Sequence, residues 1–155
     1  MKIRKAKISD AKKISDMITN NIDLVTSKKY SKKQILAMKE YASEKNIKKY
    51  IKNKKWEVFV AIEKDKIIWT ISFEGNLVFS PYVTNSKNFV KDPMGSKMLK
   101  FAETKLKRIG ESSIKIISIE TTKNYFQKKG YKVIKKMILG NKIKFKEFMM
   151  EKKLR

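Results

Sequence analysis

The stretch PMGSKMLKFAETKLKRIGESSIKIISI, Pro93 to Ile119, decides the fold. Its first part sets Met98, Leu99, Ala102, Leu106 and Ile109 at helical spacing, and Gly110 is placed to close that helix. Its last part, with Ile114, Ile116, Ile117 and Ile119, is rich in β-branched residues and reads as a strand. Upstream, Leu77 to Val83 reads as another strand, and Pro81 within it marks an edge or a bulge, because proline cannot donate to a ladder. A helix joining two strands of one sheet implies a parallel crossover. Just before the helix stand Asp92 and Pro93, preferred N-cap and N1 residues. The Asp92 carboxylate is expected to accept from the amides of Met94 or Gly95. Lys91 and Lys97 then supply positive charge, and the amides of Ser96 and Lys97 remain free.

Further out, the period-2 pattern of Trp56, Val58, Val60 and Ile62 predicts a strand. Glu63-Lys64-Asp65 turns the chain into a second strand, Lys66 to Phe73, and Glu74-Gly75-Asn76 leads into the third. Residues 2–7 form a first strand. Ser9 then caps a helix carrying Ala11, Ile14, Met17, Ile18 and Ile22 on one face. Ser31 to Gln34 matches a capping box, and Ser43 starts a short helix with Ile47, Tyr50 and Ile51 on one side. Residues 84–92 are a polar loop. Thr121 to Lys129 reads as a helix stopped by Gly130, followed by strands at 131–139 and 142–150 around Gly140-Asn141. This order of elements predicts one α/β domain over 1–155, with a mixed central sheet flanked by helices.

Composition narrows the chemistry. The 155 residues suit one domain, and no apolar run is long enough to span a membrane. The N-terminus lacks an apolar signal core, so a soluble, cytoplasmic protein is the expectation. With 0 His in the composition and no cysteine, disulfides, thiolate nucleophiles, imidazole bases and the usual zinc sites are excluded, and no metal site is expected. Carboxylates, Lys, Tyr, hydroxyls and backbone amides remain. The net charge of +24 is almost all lysine; Arg4, Arg108 and Arg155 are the arginines. The lysines run along the whole chain, which reads as compositional bias on a solvated surface. Weak, salt-sensitive nucleic-acid binding is the corresponding expectation. Trp56 and Trp69 read as core or slot-lining residues, since no interleaved Arg and aromatic platform accompanies them.

From Lys66 to Lys136 the phrases KIIWTISFEGN, YV, GSKMLKFAETKLKRIG, IKIIS and NYFQKKGYKVI fall in an order that resembles the GNAT superfamily of N-acetyltransferases. The resemblance implies a mixed sheet with a splayed strand pair and a slot for acetyl-coenzyme A. It also implies acetyl transfer to a primary amine of a small molecule, peptide or RNA-associated substrate. Tyr82 and Val83 would supply the bulged backbone edge. Met94, Gly95, Ser96 and Lys97 would supply the amides that meet the pyrophosphate. Thr121 stands where the family often has Asn, and Trp69 where it often has a small Gly. The family pattern Gln/Arg-x-x-Gly-x-Gly/Ala meets Val90, Lys91, Asp92, Pro93, Met94 and Gly95 here, so only its last position agrees. The family's Phe-Tyr, whose Tyr protonates the leaving thiolate, is reversed to Tyr125-Phe126. Tyr125 is therefore the implied general acid, turned about 100° from Phe126. Glu57, Glu74 and Glu120 are candidate general bases, with Glu120 preferred. These departures leave a second reading, a GNAT-fold binding module without catalysis. A homodimer is compatible with either.

Overall fold

The computed structural model describes residues 1–25, 29–84 and 93–155. β1 (Lys2–Lys5) passes through a short 3-10 turn (Ile8–Asp10) into α1 (Ala11–Val25), α2 (Lys32–Tyr41) and α3 (Glu44–Lys52). Three strands follow: β2 (Glu57–Glu63), β3 (Lys66–Glu74) and β4 (Leu77–Val83). Then come α4 (Pro93–Arg108), β5 (Ser113–Ile119), α5 (Lys123–Lys128), β6 (Lys132–Leu139) and β7 (Phe145–Lys153). Among the described residues, seven strands make one sheet in the order β1-β2-β3-β4-β5-β7-β6. The β4–β5 pair is parallel and the other pairs are antiparallel, as the crossover through α4 requires. Helices flank this sheet on both faces, and the expected α/β architecture is the observed one.

Local chemistry explains most element ends. Ser31 Oγ accepts from the Gln34 N–H at 3.1 Å, and Gln34 Oε1 accepts from the Ser31 N–H at 3.0 Å, a complete capping box. Ser43 caps α3 through the Asn46 N–H. α4 starts at Pro93, as a proline at the first helical position should; its expected cap, Asp92, and Lys91 lie outside the described residues. At the far end, Gly110 has φ +87°. Its N–H donates to the Lys107 carbonyl, and the Glu111 N–H donates to the Leu106 carbonyl. That pair of bonds is a Schellman closure, for which the left-handed residue is best a glycine.

Several expectations need correction. The first strand ends at Lys5. Ser9 lies inside the 3-10 turn and is not a cap; Asp10 does that work, accepting from the Lys7 N–H at 2.7 Å while paired to Arg4. Ile109 is 61% exposed, because the helix has already ended at Arg108. α5 is shorter than 121–129, and the last strand runs 145–153, three residues later than its apolar pattern suggested.

Two cores fill the two faces. On the α4 face, Trp69, Phe73, Met98, Leu106, Phe126 and Phe148 pack together, each almost wholly buried. On the other face, Ile14, Ile18 and Ile22 of α1 meet Ile47 of α3 and Val60 of β2.

Candidate active site

β4 and β5 begin as neighbours. Leu77 pairs with Lys115 and Val78 with Ile116, and the Asn76 side chain ties the start of β5 through the Ser113 carbonyl at 3.3 Å. The pairing then stops, and the strands part toward their C-terminal ends. From Val78 to Val83 the open edge is about 16 Å long at strand rise. The splay therefore opens ahead of Pro81.

Pro81 marks a different irregularity. Ser72 pairs with Phe79 and Thr70 with Tyr82, so β4 carries one extra residue in its ladder with β3. The bulge resets the alternation of side chains. Phe79 and Tyr82, three apart, both face the α1–α3 side, while Val78 and Val83, five apart, both enter the α4-side core. The Thr84 N–H donates to the Ile68 carbonyl at 2.8 Å. Bonded and non-bonded positions alternate in an antiparallel ladder, so Val83 turns its N–H and C=O away from β3, toward the space β5 has left. The Val83 carbonyl accepts from Asn21 Nδ2 of α1 at 2.5 Å, and that side chain also donates to the Met17 carbonyl. Asn21 is buried.

The N-terminus of α4 supplies Met94, half-buried, Gly95, buried, Ser96 and exposed Lys97. Lys129, just past α5, donates to Ser96 Oγ at 2.9 Å and lies over the Tyr125 ring. The reversal of Tyr125 and Phe126 does not send the tyrosine outward. Both rings are buried in the α4-side core with Val83 and Met98, in edge contact at 5.3 Å.

Strand register separates the carboxylates. Glu57 pairs with Phe73, and Glu74 with Leu77, so both lie at the closed end of the β4–β5 pair. Glu57 is bound by Lys105 and Lys5, whose hydrogen bonds hold its carboxyl below the usual range. Glu74 accepts from Trp56 Nε1. Neither is at the open end. Glu120 is: it follows β5, its Oε2 is buried without a hydrogen-bond partner among the described residues, and its Oε1 is 3.9 Å from Lys123 Nζ. The Thr121 hydroxyl beside it is likewise buried and unpartnered among those residues.

Three functional candidates were not read from the sequence: Asn21, Tyr30 and Glu147. Glu147 pairs with Ile119 across β5–β7, level with the open end. Burial pushes its carboxyl above the usual range. Tyr30 accepts from the Glu120 N–H at 3.2 Å. Burial raises its phenol, the hydrogen bond from the Glu120 N–H opposes that shift, and the charges of Glu120 and Glu147 add to it. Tyr82 is pushed up to about 12 by burial, with Glu147, Tyr30 and Tyr50 contributing through space. Tyr30, Tyr82, Glu120 and Glu147 therefore form one group at the open end. A signal for Glu147 existed: at period 2 it shares a strand face with Phe145 and Met149, which sets an acid on a partly apolar face. Asn21 similarly interrupts the apolar stripe of α1.

A mixed sheet whose parallel pair opens beside a bulged strand, with a crossover helix behind it, defines the class of an acetyltransferase α/β fold. The family model described as Acetyltransferase (GNAT) domain matches residues 26–154, and the chain belongs to that family. Solved structures agree on the fold. A GCN5-related N-acetyltransferase from Rhodopseudomonas palustris superposes with TM-score 0.86 at 17% identity, covering 99% of this chain and 95% of that one. The PaiA N-acetyltransferase of Thermoplasma acidophilum, in complex with coenzyme A, gives TM-score 0.76 at 20% identity and 98% coverage of both chains. The aminoglycoside 6'-N-acetyltransferase of Enterococcus faecium gives 0.66 at 14% identity, with 100% of this chain and 98% of that one covered. No curated protein sequence matches the chain. Among the described residues, no helix is long and apolar enough to cross a membrane.

Proposed function

We propose that the protein transfers an acetyl group from acetyl-coenzyme A to a primary amine, with the thioester held in the gap between β4 and β5. The observation that carries this reading is the Val83 backbone, turned off its ladder into that gap. Its N–H is the donor for the oxygen that becomes negative as the amine attacks. Asn21 holds the Val83 carbonyl, and with the Thr84 N–H bond to Ile68 this fixes the peptide that follows the donor. The amides of Gly95, Ser96 and Lys97, with the positive end of α4, face the pyrophosphate; Lys97 and Lys129 add charge there. Met94 and Thr121 line the two sides of the bound coenzyme, and Tyr82 flanks its reactive end.

The substrate arrives as an ammonium and must lose a proton before it can attack. Glu147, whose carboxyl burial raises above its usual range, accepts it, and Glu120 pairs with the ammonium beforehand. The amine nitrogen then forms a bond to the thioester carbon, and the carbon–sulfur bond breaks. The thiolate takes a proton from Tyr125, which is restored from the new amide nitrogen through solvent. The products are an N-acetyl amide and free coenzyme A.

Calorimetric titration with acetyl-coenzyme A tests the reading. Binding with a dissociation constant between about 1 µM and 1 mM, and thiol release that requires an added amine, are expected. No heat of binding up to about 1 mM would overturn it and leave the non-catalytic binding module.

A further inference from the structure

The core on the face of the sheet opposite α4 leaves one space open at its edge. Between α1, α2, α3 and the bulged β4 lies a cavity of about 180 Å³, walled by Ile18, Tyr41, Tyr50, Trp56, Phe79 and Tyr82. Three features limit what fits there.

The first is charge. No Asp, Glu, Lys or Arg side chain lines it. The Tyr50 hydroxyl is spent on the Tyr41 carbonyl at 3.0 Å, and burial raises both Tyr50 and Tyr82. An ammonium driven into such a wall loses its hydration for aromatic faces alone. The second is size. An apolar cavity of about 150 Å³ accepts benzene, so this one suits a single ring or a short alkyl chain. Trp56 stands at 4.9 Å from Phe79 and 5.2 Å from Tyr50, so the wall is itself a set of ring faces and edges. The third is position. Tyr82 lines the cavity and immediately precedes Val83, whose N–H faces the gap. Glu147 and Tyr30 lie within electrostatic reach of Tyr82, and Tyr30 is bonded to the Glu120 N–H. A ligand with its body in the cavity meets carboxylates at one end only.

We infer that the acceptor is a small primary monoamine whose apolar, ring-sized body occupies this cavity and whose amino group lies past Tyr82, between Glu147 and the Val83 edge. The inference rests on the acetyltransferase reading and adds to it the substrate class. Polyamines are disfavoured twice. Their second charge enters an uncharged wall, and a chain of net charge +24 repels them at a distance.

The test uses the 155-residue chain, acetyl-coenzyme A and a thiol-release assay with phenethylamine, ethylamine and spermidine. Phenethylamine is expected to have a kcat/KM at least about tenfold above either of the others, the span that one ring in an apolar pocket supplies. Met38 of α2 also lines the cavity, so Ile18→Phe and Met38→Trp each fill it, from α1 and from the less buried α2. Each should lower kcat/KM for phenethylamine about tenfold or more, with acetyl-coenzyme A affinity by calorimetry unchanged. Melting curves identify a variant that has lost its fold, in which case the other one decides. Preference for spermidine, or full phenethylamine activity in a folded cavity-filled variant, would overturn the acceptor assignment and leave the coenzyme reading intact. No binding of acetyl-coenzyme A would overturn both.

Discussion

The two faces of the sheet use aromatic residues for opposite ends. On the α4 side, Trp69, Phe73, Phe59 and Phe101 close on one another, with ring centroids 5.3 to 6.4 Å apart and Lys105 covering Phe59 and Phe73. On the α1–α3 side, Tyr41, Tyr50, Trp56, Phe79 and Tyr82 leave about 180 Å³ between them. A closed aromatic cluster gains dispersion on every side. A lined cavity forgoes those contacts until something occupies it. The first cluster is closed packing, and the second leaves room that a ligand can occupy.

Substitutions can break or sharpen that contrast. The largest effect is expected for Trp69→Ala, which removes a fully buried indole from the closed face. It should destabilise by about 3–5 kcal/mol in a urea titration. A cost below about 1 kcal/mol would mean that the α4 face is not the closed one.

Glu147→Gln comes next, and it should act on chemistry more than on folding. A loss of about a hundredfold in kcat, about 2.7 kcal/mol, is expected of a general base. The sign of the stability change is separate. Burial raises the folded-state pKa of Glu147, so its ionised form weighs against the fold. The wild type is therefore most favoured below the unfolded pKa and loses that contribution as pH rises through the folded one. Glu147→Gln should melt higher than the wild type at pH 7, with the gap fading as pH falls through the carboxylate range. A melting temperature at pH 7 that falls on substitution would place Glu147 in a structural ion pair.

Asn21→Ala leaves the Val83 carbonyl without its side-chain donor. It should cost about 1–3 kcal/mol in stability and weaken acetyl-coenzyme A binding, because the peptide that follows the Val83 N–H is then held by its Thr84 N–H bond alone. Unchanged coenzyme affinity would separate the α1 face from the gap. The smallest effect is expected at Tyr41, half exposed on the cavity rim, where Tyr41→Ala should cost about 1 kcal/mol or less in the same titration. A large cost there would mean that the rim is part of the packed core.

Much of this architecture was legible in the sequence because its signals are local. The capping box at Ser31 and Gln34, the cap at Ser43, the glycine closures at Gly110 and Gly130, and the apolar stripe of α4 each depend on a few neighbouring residues. The misreadings share a different cause. The last strand slid three residues because Phe145 to Lys153 mixes charged and apolar side chains, and its pairing with β5 decides its bounds. Ser9 was favoured as a cap by its type, but Arg4, brought alongside by β1, gives Asp10 the stronger charged partner.

The sequence by itself determined the class of sheet, the parallel crossover and the bulge at Pro81, because periodicity, proline and glycine act within a turn or a strand. It also determined that any chemistry here runs without imidazole or thiol. Only the tertiary structure decided which carboxylates share a site and where the cavity lies. Glu57 and Glu120 look alike along the chain, yet strand register sends one to the closed end of β4–β5 and the other to the open end. Asn21 and Val83 are 62 positions apart, and their hydrogen bond exists only once α1 crosses β4. The bulge turns Phe79 and Tyr82 to the same face, and α2 and α3 then bring Tyr41 and Tyr50 against them. Contacts between residues far apart in sequence depend on how the elements pack, and no short stretch of the chain encodes that packing.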